Sequence, residues 1–395
     1  MKKVKTGLDV LVSDSALQNS FKGNVALLCN NASADANLVP APLWFKELFG
    51  SRFIKLFGPQ HGFATDAQDN TIESDHFIHS YFRMPVYSLY SETRIPTDDM
   101  LSDVDHLFVD LQDVGCRMYT YIYTLTLLLE KCSGKAIEII VLDRPNPLNG
   151  LIIEGNILEP EFESFIGRHP MPVRHAMTIG EVAAMHQRYW TSKPAHLQII
   201  KMKRWQRHMY YEDTGLPWLL PSPNLARPES ALTFSAMVLF EGTLLSEGRG
   251  TTQPLEIFGH PKIEPFSFWQ NHLSESIKMS KLRGFTLRPI TFIPTFEKKQ
   301  DEVCGGFQLH ITDRENYQPW RVGQFIMREI YHYLGADFEW RTPPFEYNYE
   351  QAPIDIINGT DKLRHWVEAD GSMETLDTFE NLTAYKMQLE SIKLY

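Results

Sequence analysis

Carboxylates, an arginine and glycines share one short stretch of this chain. From Pro221 to Thr252 it reads PSPNLARPESALTFSAMVLFEGTLLSEGRGTT, which sets Glu241, Glu247 and Arg249 beside Gly242, Gly248 and Gly250. Glycine permits sharp turns and close backbone approach to a ligand, so an arginine between two glycines reads as a presented side chain. A polar turn after a buried helix fits the same residues, because turns are where glycines gather. Two more carboxylates have loop surroundings. Glu154 precedes Gly155, and Glu92 follows Tyr87-Ser88-Leu89-Tyr90-Ser91. A carboxyl among apolar rings loses solvation of its charged form, so its pKa rises as a general acid requires. Two carboxyls flanking a sugar bond are the usual equipment for glycoside cleavage. Taken singly, each of these four also fits a surface or capping carboxylate.

Other groups extend the list. His61, between Gln60 and Gly62, suits an acid/base or a hydrogen-bond donor to substrate, or a structural role. Arg117, Arg144 and Arg249 are able to grip a carboxylate bidentately or to serve in salt bridges. Several chemistries lack their signatures. There is no HExxH for a metal, no GxSxG elbow, no GxGxxG and no GxxxxGK[ST] phosphate cradle. Cys29, Cys116, Cys132 and Cys304 form no CxxC pair, and their apolar neighbours suit buried free thiols.

These side chains need a scaffold. Apolar runs of strand length occur at 24–29, 53–57, 106–111, 137–142 and 196–200. Helical patterns separate them, near 43–49, over 117–131, and from the Thr178-Ile179-Gly180-Glu181 capping box to about Trp190. The alternation predicts an α/β fold: a Rossmann-like, mostly parallel sheet with helices on both faces. Ligands of such sheets bind beyond the carboxyl ends of the strands. Asn30, Gln60-His61, Gln112-Asp113, Asp143-Arg144 and Asn146 fall at those ends. After Thr252 the alternation stops. Strand-like 285–292 and 306–311, an amphipathic helix over 322–334 and a terminal helix over 376–394 predict a smaller α+β domain. The expected domains are 1–250 and 251–395, the second closing a cleft against the first.

Composition narrows the class. With 43% hydrophobic and 22% charged residues the chain has the content of a globular protein. A net charge of −11 without a dense basic run argues against nucleic acid. The basic cluster from Lys201 to His208 follows a strand and reads as a solvated loop or a small ligand patch. No apolar stretch approaches the ~20 residues of a membrane span. The start shows no signal-peptide pattern, so a cytoplasmic location is expected unless a leader was removed.

Together these segments resemble the NamZ family, exo-β-N-acetylmuramidases of glycoside hydrolase family 171, formerly a domain of unknown function. The resemblance rests on GPQHGF at 58–63, YSLY at 87–90, DLQDVGCRMYTY at 110–121, LDRPNPLNG at 142–150, PSPN at 221–224 and LFEGTLLSEGRGT at 239–251. It implies two domains with the active site between them, no metal or other cofactor, and release of N-acetylmuramic acid from peptidoglycan fragments or muropeptides. Carried onto this chain, the resemblance makes Glu92 the acid, while the residues themselves offer Glu247 or Glu154 as the second carboxylate and His61 as an assisting group. Gln60, Asp113, Arg117, Tyr119, Asp143, Arg144, Asn146, Asn224, Glu241 and Arg249 would hold the sugar, and Arg249 or Arg117 its lactyl carboxylate. Many members have Glu where this chain has Gln60, so a carboxylate is missing there. The oligomeric state is open.

Overall fold

A strand covered on both faces must be apolar at every position, and Val25–Cys29 (β1) is buried throughout. The computed structural model, which describes residues 3–68 and 73–395, places β1 inside a seven-stranded sheet. Its other strands are β2 (Phe53–Gly58), β3 (Phe77–Ile78), β4 (Pro85–Ser88), β5 (His106–Asp110), β6 (Glu138–Leu142) and β7 (His196–Ile200). Their order is β3-β4-β2-β1-β5-β6-β7. All neighbours run parallel except the edge pair of β3 and β4.

The two faces of β1 are segregated by the period-two geometry of a strand. Val25, Leu27 and Cys29 pack with Phe45 and Phe49 of the Ala41–Phe49 helix. Ala26 and Leu28 pack on the other side, with Leu125, Leu128 and Leu129 of the Tyr121–Cys132 helix. Each such side chain, fully buried, contributes about 1.5–3 kcal/mol.

The smaller part carries a three-stranded antiparallel sheet, ordered β8-β10-β9, from β8 (Ile257–His260), β9 (Phe285–Phe292) and β10 (Cys304–Ile311). The Pro228–Met237 and Pro265–Phe268 helices pack on it, and the Pro319–Leu334 helix packs against Pro228–Met237. Gly323 lets those two helices touch: a Cβ there would meet the Ala236 carbonyl oxygen at 2.5 Å. One continuous apolar core contains both Val109 and Val141 of the large sheet and Phe307 and Phe325 of the small part.

Several boundaries differ from expectation. The helix expected from Arg117 starts at Tyr121, because Arg117 N–H bonds Val173 O and its side chain is drawn elsewhere. The capping box of Thr178 and Glu181 forms, but the α-helix ends at Met185 and continues as a π-helical turn, His186–Trp190. The expected terminal helix is two pieces, Met373–Asp377 and Thr383–Ile392. Strands β3, β4 and β8 carried no expectation; β3 has only two residues, and β4 opens on a proline that suits the end of a strand. Among the described residues, no helix is long and apolar enough to cross a membrane.

Candidate active site

The chain leaves β1 towards β2 on one side and β5 towards β6 on the other, which opens a crevice at the carboxyl ends of the strands. A small cleft lies there. The β2 end contributes Gln60 and His61, and the segment before the Tyr121–Cys132 helix contributes Tyr119 and Thr120. The Pro221–Thr252 stretch contributes Ser222, Asn224, Glu241 and Arg249, and a distant loop contributes Glu346.

Local geometry fixes the β2 corner. His61 and Gly62 both have positive φ, 68° and 79°. For a histidine that is a strained conformation, of the kind found at functional sites. His61 Nδ1 lies 2.8 Å from Ala67 O. A carbonyl only accepts, so Nδ1 carries the proton, and in a neutral ring Nε2 is the basic nitrogen. Thr120 Oγ1 donates to Gln60 Oε1 at 2.6 Å. Gln60 also bonds the Tyr90 hydroxyl. The Tyr119 hydroxyl is buried in the cleft wall beside Tyr121 and Ser222.

Arg249 joins the acidic residues. Its Nη1 donates to Glu247 Oε1 at 2.6 Å and its Nη2 to Glu241 Oε1 at 2.7 Å. Lys298 Nζ takes the other Glu247 oxygen at 2.8 Å. Burial opposes the Glu247 charge, but Lys298 and Arg249 outweigh it and hold the carboxyl below its ordinary range. Glu297 stands 3.9 Å from Arg249 Nε. Its burial and the charge of Glu247 raise it instead. Arg249 is thus an anchored cation whose positive charge stabilises Glu241 at the cleft wall.

Glu346 sits at the tip of a tight turn in which Phe345 and Asn348 exchange backbone hydrogen bonds at 2.9 Å. Glu346 and Tyr347 have φ of 45° and 65°, the two left-handed residues that a type I′ turn needs. The residue is partly exposed, yet its Oε2 is shielded and has no hydrogen-bond partner among the described residues. Burial, then the negative charge of Glu241, pushes this carboxyl up to about 7. The turn is pinned to the other side of the cleft. Arg94 is sandwiched between the Tyr90 ring at 4.5 Å and the Tyr347 ring at 4.0 Å. Glu73 Oε1 accepts from Arg94 at 3.1 Å and from the Tyr347 hydroxyl at 3.0 Å.

The fold brings together Gln60, His61, Tyr119, Asn224, Glu241 and Arg249 of the expected site. It places others elsewhere. Glu92 is exposed and does not line the cleft, because the chain turns outward after the buried Ser91. Glu247 stands behind the wall with both oxygens committed to Arg249 and Lys298. Glu154 is buried away from the cleft, its Oε1 accepting from the Arg321 N–H at 3.1 Å. Arg117 is a backbone staple rather than a substrate clamp: it donates to the carbonyls of Asn156, Met171, Ile357 and Asn358. Arg144 pairs with both oxygens of Asp110 at 2.6 and 2.9 Å and faces a separate, smaller pocket. Asp143 accepts from Thr178 Oγ1, the Gly180 N–H and the Tyr395 hydroxyl. Asn146 ties Met177 O to the Leu148 N–H. Asp113 accepts from the Gly115 N–H and lies 3.3 Å from His175 Nε2. In each case the strand-end polar group holds a loop instead of facing the cleft.

Sequence reasoning missed Glu346, Thr120, Ser222, Glu297 and Lys298. A signal for Glu346 existed: it lies between Phe345 and Tyr347, the same ring-flanked setting that singled out Glu92. Lys298 and Glu297 carried none, since they come from an irregular loop after β9.

Comparison with known proteins agrees across the whole chain. The family model described as exo-beta-N-acetylmuramidase NamZ, N-terminal, matches residues 25–229, and its C-terminal counterpart matches 232–395. The peptidoglycan beta-N-acetylmuramidase NamZ of Bacillus subtilis is 42% identical over 374 residues, 95% of this chain and 86% of that protein. Two crystal structures of Bacteroides fragilis proteins, each titled only as a DUF1343 family protein, superpose over 100% of this chain and 99% of theirs. Their TM-scores are 0.86 and 0.76, at 29% and 25% identity.

Proposed function

The chain belongs to the NamZ family of exo-β-N-acetylmuramidases, and on that premise we propose that it hydrolyses peptidoglycan fragments, releasing N-acetylmuramic acid from their non-reducing ends. The observation that carries this reading is the cleft at the sheet's switch point, into which a carboxyl raised to about 7 projects from the Glu346 turn.

Glu346 is the proposed general acid, protonating the departing glycosidic oxygen. Gln60 carries a neutral amide that accepts from Thr120 and is no general acid, so the acid has to come from another wall. Glu241 is the proposed second carboxyl, held at the cleft wall by Arg249. His61, Asn224 and Tyr119 supply donors and acceptors for hydroxyls and the acetamido group. The rings of Tyr90 and Tyr347 around Arg94 hold the Glu346 turn in place.

The direct test uses an aryl β-glycoside of N-acetylmuramic acid alongside the matching N-acetylglucosamine glycoside. Release of free N-acetylmuramic acid, with a slower reaction on the sugar that lacks the lactyl group, is the expected result. Saturable binding of both glycosides with no product from either would overturn the proposal.

A further inference from the structure

Behind the large sheet, away from the cleft, three metal-binding side chains converge from separate segments. They are Glu130 near the end of the Tyr121–Cys132 helix, His169 in a loop, and His186 at the start of the π-helical turn. One donor atom of each lies within 4.8 Å of the other two. The sequence showed no metal-type spacing, because the three are joined only by the fold.

Hydrogen bonding at this place is incomplete. His169 and His186 are 7% and 1% exposed. Among the described residues, His169 Nε2 and both His186 ring nitrogens are buried without a hydrogen-bond partner, as is Trp190 Nε1. Buried polar groups are satisfied in the great majority of cases, so several orphans in one spot indicate a missing occupant, water or ion. The donor set separates those choices. Two imidazoles and a carboxylate form a usual donor set for a tetrahedral divalent ion, with a solvent molecule as fourth ligand. The rings are also held in place. His169 stacks on Trp190 with centroids 4.4 Å apart and planes 11° from parallel. Its centroid is 5.4 Å from that of His186. A π-helical turn is itself rare and concentrates at functional positions.

We propose that Glu130, His169 and His186 form a binding site for a late first-row divalent cation, with Zn²⁺ the best match. The ion ties the helix end, the loop and the π-helical turn together, and so stabilises the helix whose opposite end borders the cleft. Arg168 is the resident competitor, donating to the two Glu130 oxygens at 3.3 and 3.1 Å. Both partners are partly exposed, so solvent screens the pair and one carboxylate oxygen is available to exchange it for a metal.

The experiment is calorimetric titration of Zn²⁺ into untagged, chelator-stripped protein, with Co²⁺ absorption as a second readout of ligand number. One saturable equivalent, a tetrahedral Co²⁺ spectrum and a raised Tm are expected. H169N and H186N, checked for folding by circular dichroism, should each weaken binding by at least the roughly 100-fold that outer-shell changes alone can reach. R168A should tighten it. The exposed His365, close to Asp361 and Glu368, is the surface control. No saturable binding by the wild-type protein overturns the proposal. So does binding that survives in both histidine variants and disappears in H365N.

Discussion

A proton for the leaving oxygen must come from a carboxyl that still holds one near neutrality. Glu346 meets that condition because its burial and the charge of Glu241 raise it to about 7. Glu346→Gln should lower kcat by about 10²–10⁴-fold on natural fragments. Glycosides whose leaving group needs no proton should lose far less, which steady-state rates on a leaving-group series would reveal. An acid works only while protonated, so kcat/KM should fall as pH rises through about 7. Glu92→Gln, altering an exposed side chain outside the cleft, should leave the rate unchanged. Equal losses in the two variants would return the acid role to Glu92. Both glutamates sit among aromatic residues in sequence, and only the direction of each loop separates them.

Elements made that difference legible or hid it. Strands β1, β2, β5, β6 and β7 were recognisable because a parallel strand buried on both faces is a plain apolar run. The convergence of Gln60, His61, Asn224 and Arg249 followed from strand ends and glycine-rich punctuation. Hidden from the sequence was which polar group faces outward from its loop and which holds it. Arg117 and Asn146 have the chemistry of ligand binders, but unpaired backbone carbonyls nearby claim them. Element packing can be tested at Gly323, where the Pro228–Met237 and Pro319–Leu334 helices touch. Gly323→Ala should force them apart and cost about 1–3 kcal/mol in urea denaturation. Glu247→Gln should cost about 3–5 kcal/mol, because it strips a buried pair of one partner and leaves Arg249 and Lys298 under-compensated.

For the whole molecule, pH couples to stability through carboxyls far from the cleft. Burial raises Glu154 from 4.5 to about 7. A raised carboxyl favours the folded state fully below its unfolded pKa, and that contribution is lost as pH rises through the folded value. Denaturation midpoints should therefore decline between about pH 4.5 and pH 7 through this group. Glu154→Gln should flatten that decline by on the order of 3 kcal/mol across the window. An unchanged slope would mean that Glu154 is solvated in the folded protein.

The Glu346 turn has one more consequence, in time. Residues 60 and 61 leave the ribosome early, whereas the proposed acid lies at 346 of 395. At about 5–20 residues per second, the Gln60–His61 corner precedes the proposed acid by roughly 15–60 seconds of translation, and Arg249, the last residue of the sugar-binding wall, by roughly 5–20 seconds. A nascent chain can therefore build its parallel sheet and engage a sugar well before it is able to cut one. Ribosome-stalled chains ending near Leu334 should be catalytically silent, and hydrolysis should switch on only after the Phe345–Asn348 turn has emerged.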